Sequence, residues 1–315
     1  MQHFVENLQN NPYLCIVISK MVMNRSTLFH VYANLLAVGK IREMVECGNV
    51  SYILEKYDKY RNYIDEDITS VGDLLSYAYS EMKKYYRNEY VYKNTIITDL
   101  IKKHRFSTSV IFNEFRVGRS IADLVFLNGT DRVFEIKTEF DNDTRLKSQI
   151  LDYQKAFSRV FVVIPELYQD KYFEELSPTI GIIVMTKRGA IKTIRDAIED
   201  KSHLDSEVMM KCLRKQEFTE IIRRFYPIPD VPSIRYFKDC LSLFNQIPMD
   251  NLHPLFIKVL KMRKQGRMSY LRNDVPNYLK YLLINLDFDE FHYNKLNSYL
   301  ETNIYNYELL SISKR

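Results

Sequence analysis

The chain has 315 residues, 46% of them hydrophobic, and a formal net charge of +5; its length fits two or three domains, and its periodic apolar segments exclude a disordered chain. No apolar run reaches the roughly eighteen residues of a membrane-spanning helix, and the nearest, at 12–23, carries Lys20 and lacks the basic start and cleavage site of a secretory signal. Cys15, Cys47, Cys212 and Cys240 form no CxxC pair and the six histidines no metal-ligand spacing, so reduced thiols, a cytoplasmic location and no zinc are expected.

Residues 1–86 read as helices, with Leu28, Val31, Leu35 and Val38, then Leu74, Leu75, Ala78 and Tyr79, recurring at helical spacing. Ser70-Val71-Gly72-Asp73 reads as a helix start, with Asp73 as a cap. A helix over Tyr90–His104 follows, presenting Ile96, Ile97, Leu100 and Ile101 on one side. Three β-rich runs come next, Val110–Val117, Ile121–Leu127 and Arg132–Glu139, separated by Gly118-Arg119-Ser120 and Asn128-Gly129-Thr130 turns. Asp141-Asn142-Asp143-Thr144 predicts the start of a helix reaching Phe157. Val160–Ile164 and Gly181–Met185 read as buried strands, the second followed by a Lys187-Arg188-Gly189 turn. The order is α-β-β-β-α-β with a β extension. From Arg195 the pattern is helical again, interrupted by the prolines at 227, 229 and 232. Residues 201–275 hold fourteen Lys/Arg against eight Asp/Glu; such an excess suits a phosphate backbone or a plain solvated face equally.

Asp123 lies six residues before Gly129 and Glu135 six after it. Antiparallel pairing about that midpoint sets the two opposite each other, with side chains within about 5 Å. Alternation puts Lys137 on the face of Glu135, unless a bulge shifts the register. Adjacent carboxylates repel, and a hard cation such as Mg²⁺ or Mn²⁺ relieves that, taking carboxylate, carbonyl and water oxygens. The carbonyl of Ile136 is a natural further ligand. Such an ion acidifies water and stabilises charge on a phosphoryl oxygen, and Lys137 is placed to orient that water or stabilise the developing charge. An isolated E-x-K is common on exposed strands; the Asp on the preceding strand and the element order give this one weight.

These residues resemble a known family. Asp123, followed by Glu135-Ile136-Lys137-Thr138, resembles the split motif of the PD-(D/E)XK nucleases, with Ala122 in place of the motif's proline. Gln149-Ile150-Leu151-Asp152-Tyr153 is similar to the Q-x-x-x-Y element of the RecB-like branch, and Arg145 joins the same helical stripe. In that family such residues face the active site or the DNA; the plainer reading is a helix surface with Tyr153 half buried. Over 87–194 the stretches Arg87-Asn88-Glu89-Tyr90-Val91-Tyr92-Lys93-Asn94, Glu114-Phe115-Arg116-Val117-Gly118, Ala122-Asp123-Leu124-Val125 and Glu135-Ile136-Lys137-Thr138-Glu139 resemble an uncharacterised bacterial nuclease-like family named after a Sorangium locus. That resemblance implies a fold and a chemistry but no substrate. Relatives in the superfamily add a third carboxylate, for which Glu114 is the first candidate and Glu89 the second; the alternative for Glu114 is an ion pair with Arg116 or Arg119. Glu139 and Asp141 would orient neighbours or cap the next helix.

The expectation is an α/β protein with a restriction-endonuclease-like αβββαβ core at 87–195, between a helical region at 1–86 and a basic helical region at 196–315. The resemblance implies a Mg²⁺- or Mn²⁺-dependent endonuclease acting on DNA, by analogy in defence against phage or other foreign DNA. Asp123, Glu135 and Lys137 would be catalytic, and Asp123, Glu135, Ile136 and Glu114 would hold the metal. Arg116, Arg119, Arg145, Gln149 and Tyr153 would contact DNA, with Lys258, Lys261, Arg263, Lys264 and Arg267 extending the surface. A nuclease-like fold that binds nucleic acid or protein without cutting, RNA as substrate, and a homodimer all stay open.

Overall fold

A computed structural model describes residues 25–64, 66–104, 108–263, 271 and 275–306. The apolar run at 12–23, Cys15, Lys264 and Arg267 lie outside the described residues. The chain divides into two compact units, one of Met1–Tyr86 with Glu290–Arg315 and the other Arg87–Asp289. The boundary expected at 195/196 therefore falls inside the second unit, and the expected C-terminal region is shared between the two. Among the described residues no helix is long and apolar enough to cross a membrane, and Cys47, Cys212 and Cys240 are free thiols.

The first unit is helical: α1 (Arg25–Leu35), α2 (Val38–Cys47), α3 (Ser51–Tyr60), α4 (Val71–Tyr85) and the later helix Glu290–Leu300. Its core holds Leu35, Ile41, Met44, Leu54 and Leu75. At the start of α4 the cap is Ser70, not Asp73. Ser70 Oγ accepts from the Asp73 amide and the Asp73 carboxylate accepts from the Ser70 amide, a reciprocal pair that satisfies two otherwise orphaned donors.

The second unit is built on a mixed six-stranded sheet in the order β1-β2-β3-β4-β5-β6. The strands are β1 (Val110–Val117), β2 (Ser120–Leu127), β3 (Asp131–Ile136), β4 (Val160–Pro165), β5 (Gly181–Met185) and β6 (Ile191–Arg195). The β1–β2, β2–β3 and β5–β6 pairs are antiparallel, whereas β3–β4 and β4–β5 are parallel. Parallel neighbours need a crossover, and β3 reaches β4 through α6 (Leu146–Gln154). Ahead of β1 stands α5 (Glu89–Lys103), capped by the Asn88 side chain. Helix α7 (Gln169–Glu175) connects β4 to β5, and α8 (Ser206–Lys211), α9 (Lys215–Arg223), α10 (Ser233–Phe244), α11 (Met249–Met262) and α12 (Lys280–Leu286) follow β6.

Helices α5 and α12 pack together on one face of the sheet, where the Asn94 amide donates to the Asn277 carbonyl at 2.7 Å and its oxygen accepts from the Tyr281 amide at 2.9 Å. Helix α6 covers β2 and β4 on the other face. There Val125, Val133 and Val162 share one apolar core with Tyr153, Phe157, Phe218, Phe244 and Phe256. Helices α9 to α11 thus complete the sheet's core, which is the physical reason no boundary falls at 195.

Helix α6 begins later than expected. The Asp141 carboxylate accepts from the Thr138 amide and hydroxyl at 2.9 and 2.7 Å, Asn142 accepts from Thr144, and Asp143 pairs with Lys171. The presumed capping residues are committed to a loop, and Arg145 takes the N-cap without a side-chain bond.

Asp131 ties the start of β3 to two other segments. Its carboxylate accepts from the Ser158 amide and, at 2.8 Å, from the Ser158 hydroxyl, with His253 Nε2 of α11 at 3.5 Å. All three residues are buried. Burial raises the Asp131 pKa, but the His253 and Ser158 contacts outweigh it and hold the carboxyl below its usual value. A depressed carboxylate stabilises the fold above the unfolded pKa, and that contribution fades as pH falls through the folded value. Asp131→Ala is expected to lose about 2–4 kcal/mol at pH 7 in urea unfolding. The deficit should shrink once the pH is taken below about 4.

Candidate active site

The β2–β3 ladder runs Leu127↔Asp131, Phe126↔Arg132, Val125↔Val133 and Leu124↔Phe134, symmetric about Gly129. The same symmetry places Asp123 opposite Glu135, but the ladder stops one pair short of them. There the Asp123 Oδ2 accepts the Ile136 amide at 2.7 Å, and the next amide, Lys137, donates to Val163 of β4 at 2.8 Å. Strand β3 thus leaves β2 and continues along β4, so the two carboxylates flank a parting in the sheet.

A second irregularity lies beside it. Asn113↔Leu124 and Phe115↔Ala122 pair on either side of Glu114 and Asp123, which sets Glu114 opposite Asp123. Glu114 has φ +53°, a left-handed conformation costing a non-glycine residue roughly 1–2 kcal/mol. Phe112 and Phe115 both reach the α6-side core, as do Ala122 and Val125. Both strands therefore change the parity of their core-facing residues at Glu114 and Asp123. Glu114, Asp123 and Glu135 stand in a row across three strands.

Glu135 is 2% exposed and fully partnered. Tyr153 Oη donates to its Oε2 at 2.6 Å, and Lys137 Nζ donates to its Oε1 at 2.8 Å. The same ammonium donates to Gln149 Oε1 at 3.0 Å. Gln149 and Tyr153, one turn apart on α6, therefore grip β3 through Lys137 and Glu135. Tyr153 had been expected to contact DNA. It is buried within the α6 core, and its hydroxyl is held at Glu135, with the Ile121 carbonyl 2.8 Å away. Burial, then the charge of Glu135, pushes its pKa upward, so it remains a proton donor to the carboxylate.

Asp123 is held differently. Burial, then the neighbouring charge of Glu135, raises its carboxyl pKa to about 7, against the downward pull of Lys93 and the Ile136 amide. Glu114 pairs with neither arginine considered for it; its Oε1 lies 3.8 Å from Lys93 Nζ. Lys93 was not anticipated from the sequence. Its signal is a lysine inside a helix whose neighbours Val91, Tyr92, Asn94, Ile96 and Ile97 are all buried.

Lys137 and Gln149 also line an open hollow of about 1150 Å³, together with Arg119, Arg145, Lys155 and Lys211. Asp141 and Asp152 lie on the same wall. Asp152 accepts from the Ser120 hydroxyl, the Arg119 amide and Lys155, fixing the β1–β2 turn to α6. Gly118 in that turn has φ +60°, and a Cβ there would meet the Asp152 carboxylate at 3.3 Å. Arg119 and Arg145 are exposed. Arg116 does not line the hollow, and its carbonyl accepts from Cys212 Sγ. Arg263, expected on a binding surface, is instead paired with Glu217. Glu139 lies 3.4 Å from Arg87 and accepts from the Tyr92 hydroxyl, so it braces α5 against the end of β3.

Among the described residues no group of three His, Cys, Asp or Glu stands at metal-holding spacing. What remains for a cation is the Asp123–Glu135 pair and the Ile136 carbonyl. Mg²⁺ commonly takes one or two carboxylates and completes its shell with water and substrate phosphate, so the pair suffices. Burial and the neighbouring charge of Glu135 raise the Asp123 carboxyl, and a cation beside the pair would favour its ionised form.

The family model of Bacteriophage P4 protein cII matches residues 82–282. Protein cII of Enterobacteria phage P4 is 27% identical over 178 residues, which is 54% of this chain and 66% of that protein. The chain thus spans just under two thirds of that relative's length. A protein of unknown function from Silicibacter pomeroyi aligns over 46% of this chain and 88% of its own, at 18% identity and a TM-score of 0.28.

A carboxyl held above its unfolded pKa contributes stability that is present below about pH 4 and lost as pH rises through about 7. With metal chelated, Asp123→Asn is expected to unfold with the wild type at pH 4. By pH 8 it should be more stable by roughly 1–2 kcal/mol in thermal melts.

Proposed function

This chain belongs to the family of Bacteriophage P4 protein cII, and from the geometry of its site we propose that it is a metal-dependent phosphodiester hydrolase acting on DNA. The observation that carries the reading is the Asp123–Glu135 pair at the parting of β2 and β3, with Glu135 buried, Asp123 partly so, and Lys137 spanning Glu135 and the hollow. The order α5-β1-β2-β3-α6-β4, with three antiparallel strands and a crossover to a parallel fourth, supports a core of the restriction-endonuclease-like type and a PD-(D/E)XK centre.

Asp123, Glu135 and the Ile136 carbonyl would hold Mg²⁺ or Mn²⁺, which when bound lowers the pKa of water and offsets negative charge on a phosphoryl oxygen. The protein's own groups do the rest. Tyr153 fixes the Glu135 carboxylate from beneath. Lys137 has three donors; Glu135 and Gln149 take two, and the third is available to a water or phosphate in the hollow. Arg119 and Arg145 stand on its wall as phosphate contacts. Lys155 and Lys211 are engaged with Asp152 and Glu207 and contribute field more than direct contact.

A second reading, a nuclease-like module that binds nucleic acid without cutting, draws on one observation: both Glu135 oxygens are already hydrogen-bonded within the protein. Cleavage of plasmid, linear and single-stranded DNA, and of RNA, with Mg²⁺ or Mn²⁺ separates the two. Wild type should cut DNA, and Asp123→Ala and Lys137→Ala should each lose at least about 100-fold. Equal cutting by all three would remove the site from these residues, and metal-independent binding with no cleavage would favour the second reading.

A further inference from the structure

Helix α6 lines the hollow along its length, with Ser148, Gln149, Leu151 and Asp152 and the flanking Arg145 and Lys155 on that wall. These residues form one helical face, polar except at Leu151, which is 57% exposed. Two more large apolar side chains stand on the same hollow from other segments: Ile121 of β2, 44% exposed, and Phe140 of the loop after β3, 64% exposed. A lone exposed apolar residue needs no explanation; three from separate segments on one hollow do. The Phe140 backbone is fixed just beyond Lys137, since its amide donates to Thr138 Oγ1 at 3.2 Å and that hydroxyl donates to Asp141 at 2.7 Å. The surroundings are cationic. Five Lys and Arg side chains line the hollow against two carboxylates, and both carboxylates already accept hydrogen bonds from the protein.

We infer that the hollow takes a single-stranded stretch of DNA, with an unpaired base stacked on Phe140 and the adjoining phosphates on Arg119 and Arg145. The inference deepens the hydrolase reading and rests on it for the hollow as the DNA surface. Cations and polar donors suffice for a phosphate backbone, and a duplex keeps its base faces stacked on one another. Against a duplex the three apolar side chains would therefore have no counterpart. Unpaired bases expose those faces. Stacking on an aromatic ring tolerates any sequence, since every base has a π face, and a positively charged groove tracks the backbone beside it. Leu151 and Ile121 offer neighbouring bases further apolar surface. Both halves of a single-strand site thus meet in this hollow, and Lys137 on its wall links that strand to the Asp123–Glu135 pair.

The test measures binding of the full chain to fluorescent oligonucleotides by anisotropy, with metal chelated so that nothing is cut. The probes are a mixed-sequence single strand, the blunt duplex of that sequence, and a single strand of abasic sites, which keeps the phosphates and removes the bases. Wild type should bind the ordinary single strand at least about 10-fold more tightly than either other probe. Phe140→Ala should weaken that binding by at least about 5-fold and leave the abasic strand unaffected, while Phe140→Trp should bind as wild type does. Leu151→Ala, on another segment, should repeat the selective loss. Equal or tighter binding of the duplex, equal binding of the abasic strand, no binding of any probe, or wild-type affinity in both alanine variants would each overturn the inference. So would a loss by both variants that is the same on the ordinary and abasic strands. Cleavage separates this failure from that of the hydrolase reading. Selective single-strand binding with no cut in Mg²⁺ or Mn²⁺ removes the hydrolase and keeps this site. Duplex cleavage by wild type without single-strand preference removes this inference alone.

Discussion

The arrangement of the site depends on where β2 and β3 stop pairing. An antiparallel ladder that continued past Leu124↔Phe134 would engage the Ile136 amide with backbone and press the two carboxylates together between paired strands. Instead the Asp123 side chain accepts that amide, which frees β3 to follow β4 and opens the sheet beside both acids. The substitution is economical in hydrogen bonds, since a backbone donor that parts from its strand still needs an acceptor. It also fixes one Asp123 oxygen and leaves the other facing Lys93.

Glu135 is positioned from the opposite direction. Its register comes from β3, but its orientation comes from α6, through Tyr153 and through the Lys137–Gln149 bond. Low polarity strengthens each of these bonds and makes each costly to leave unmade. The two acids therefore differ in chemistry although they are neighbours. Glu135 has a donor on each oxygen, whereas Asp123 faces a more distant ammonium and keeps its proton to about neutral pH. That asymmetry follows from which elements supply the donors, and a centre of two equivalent acids would lack it.

The strands and the carboxylate pair were legible in the sequence because both rest on period two and on turn symmetry. Val110–Val117 and Gly181–Met185 form as read, and the ladder about Gly129 runs as far as Leu124↔Phe134, one pair short of Asp123 and Glu135. What was not legible depends on depth and on distant partners. Helical spacing places Tyr153 on the stripe with Gln149 but does not say that the stripe turns inward, so a buried support looked like a DNA contact. Lys93 reads as a surface lysine until α12 and β1 close over it. Arg263 reads as part of a basic patch until Glu217, on another helix, claims it. The late start of α6 has the same origin, because its apparent caps are bound to Thr138 and Lys171.

The buried contact of Asp131 with His253 joins residues about 120 positions apart. At translation rates of about 5–20 residues per second, β3 leaves the ribosome some 6–24 s before α11 can cover it. During that interval the α6 face of the sheet lacks Phe218, Phe244 and Phe256 and exposes apolar surface. A nascent chain in that state cannot yet assemble its whole core. The candidate centre is thereby tied to late completion of the fold: a truncated product would carry Asp123, Glu135 and Lys137 without the helices that complete the core of the sheet.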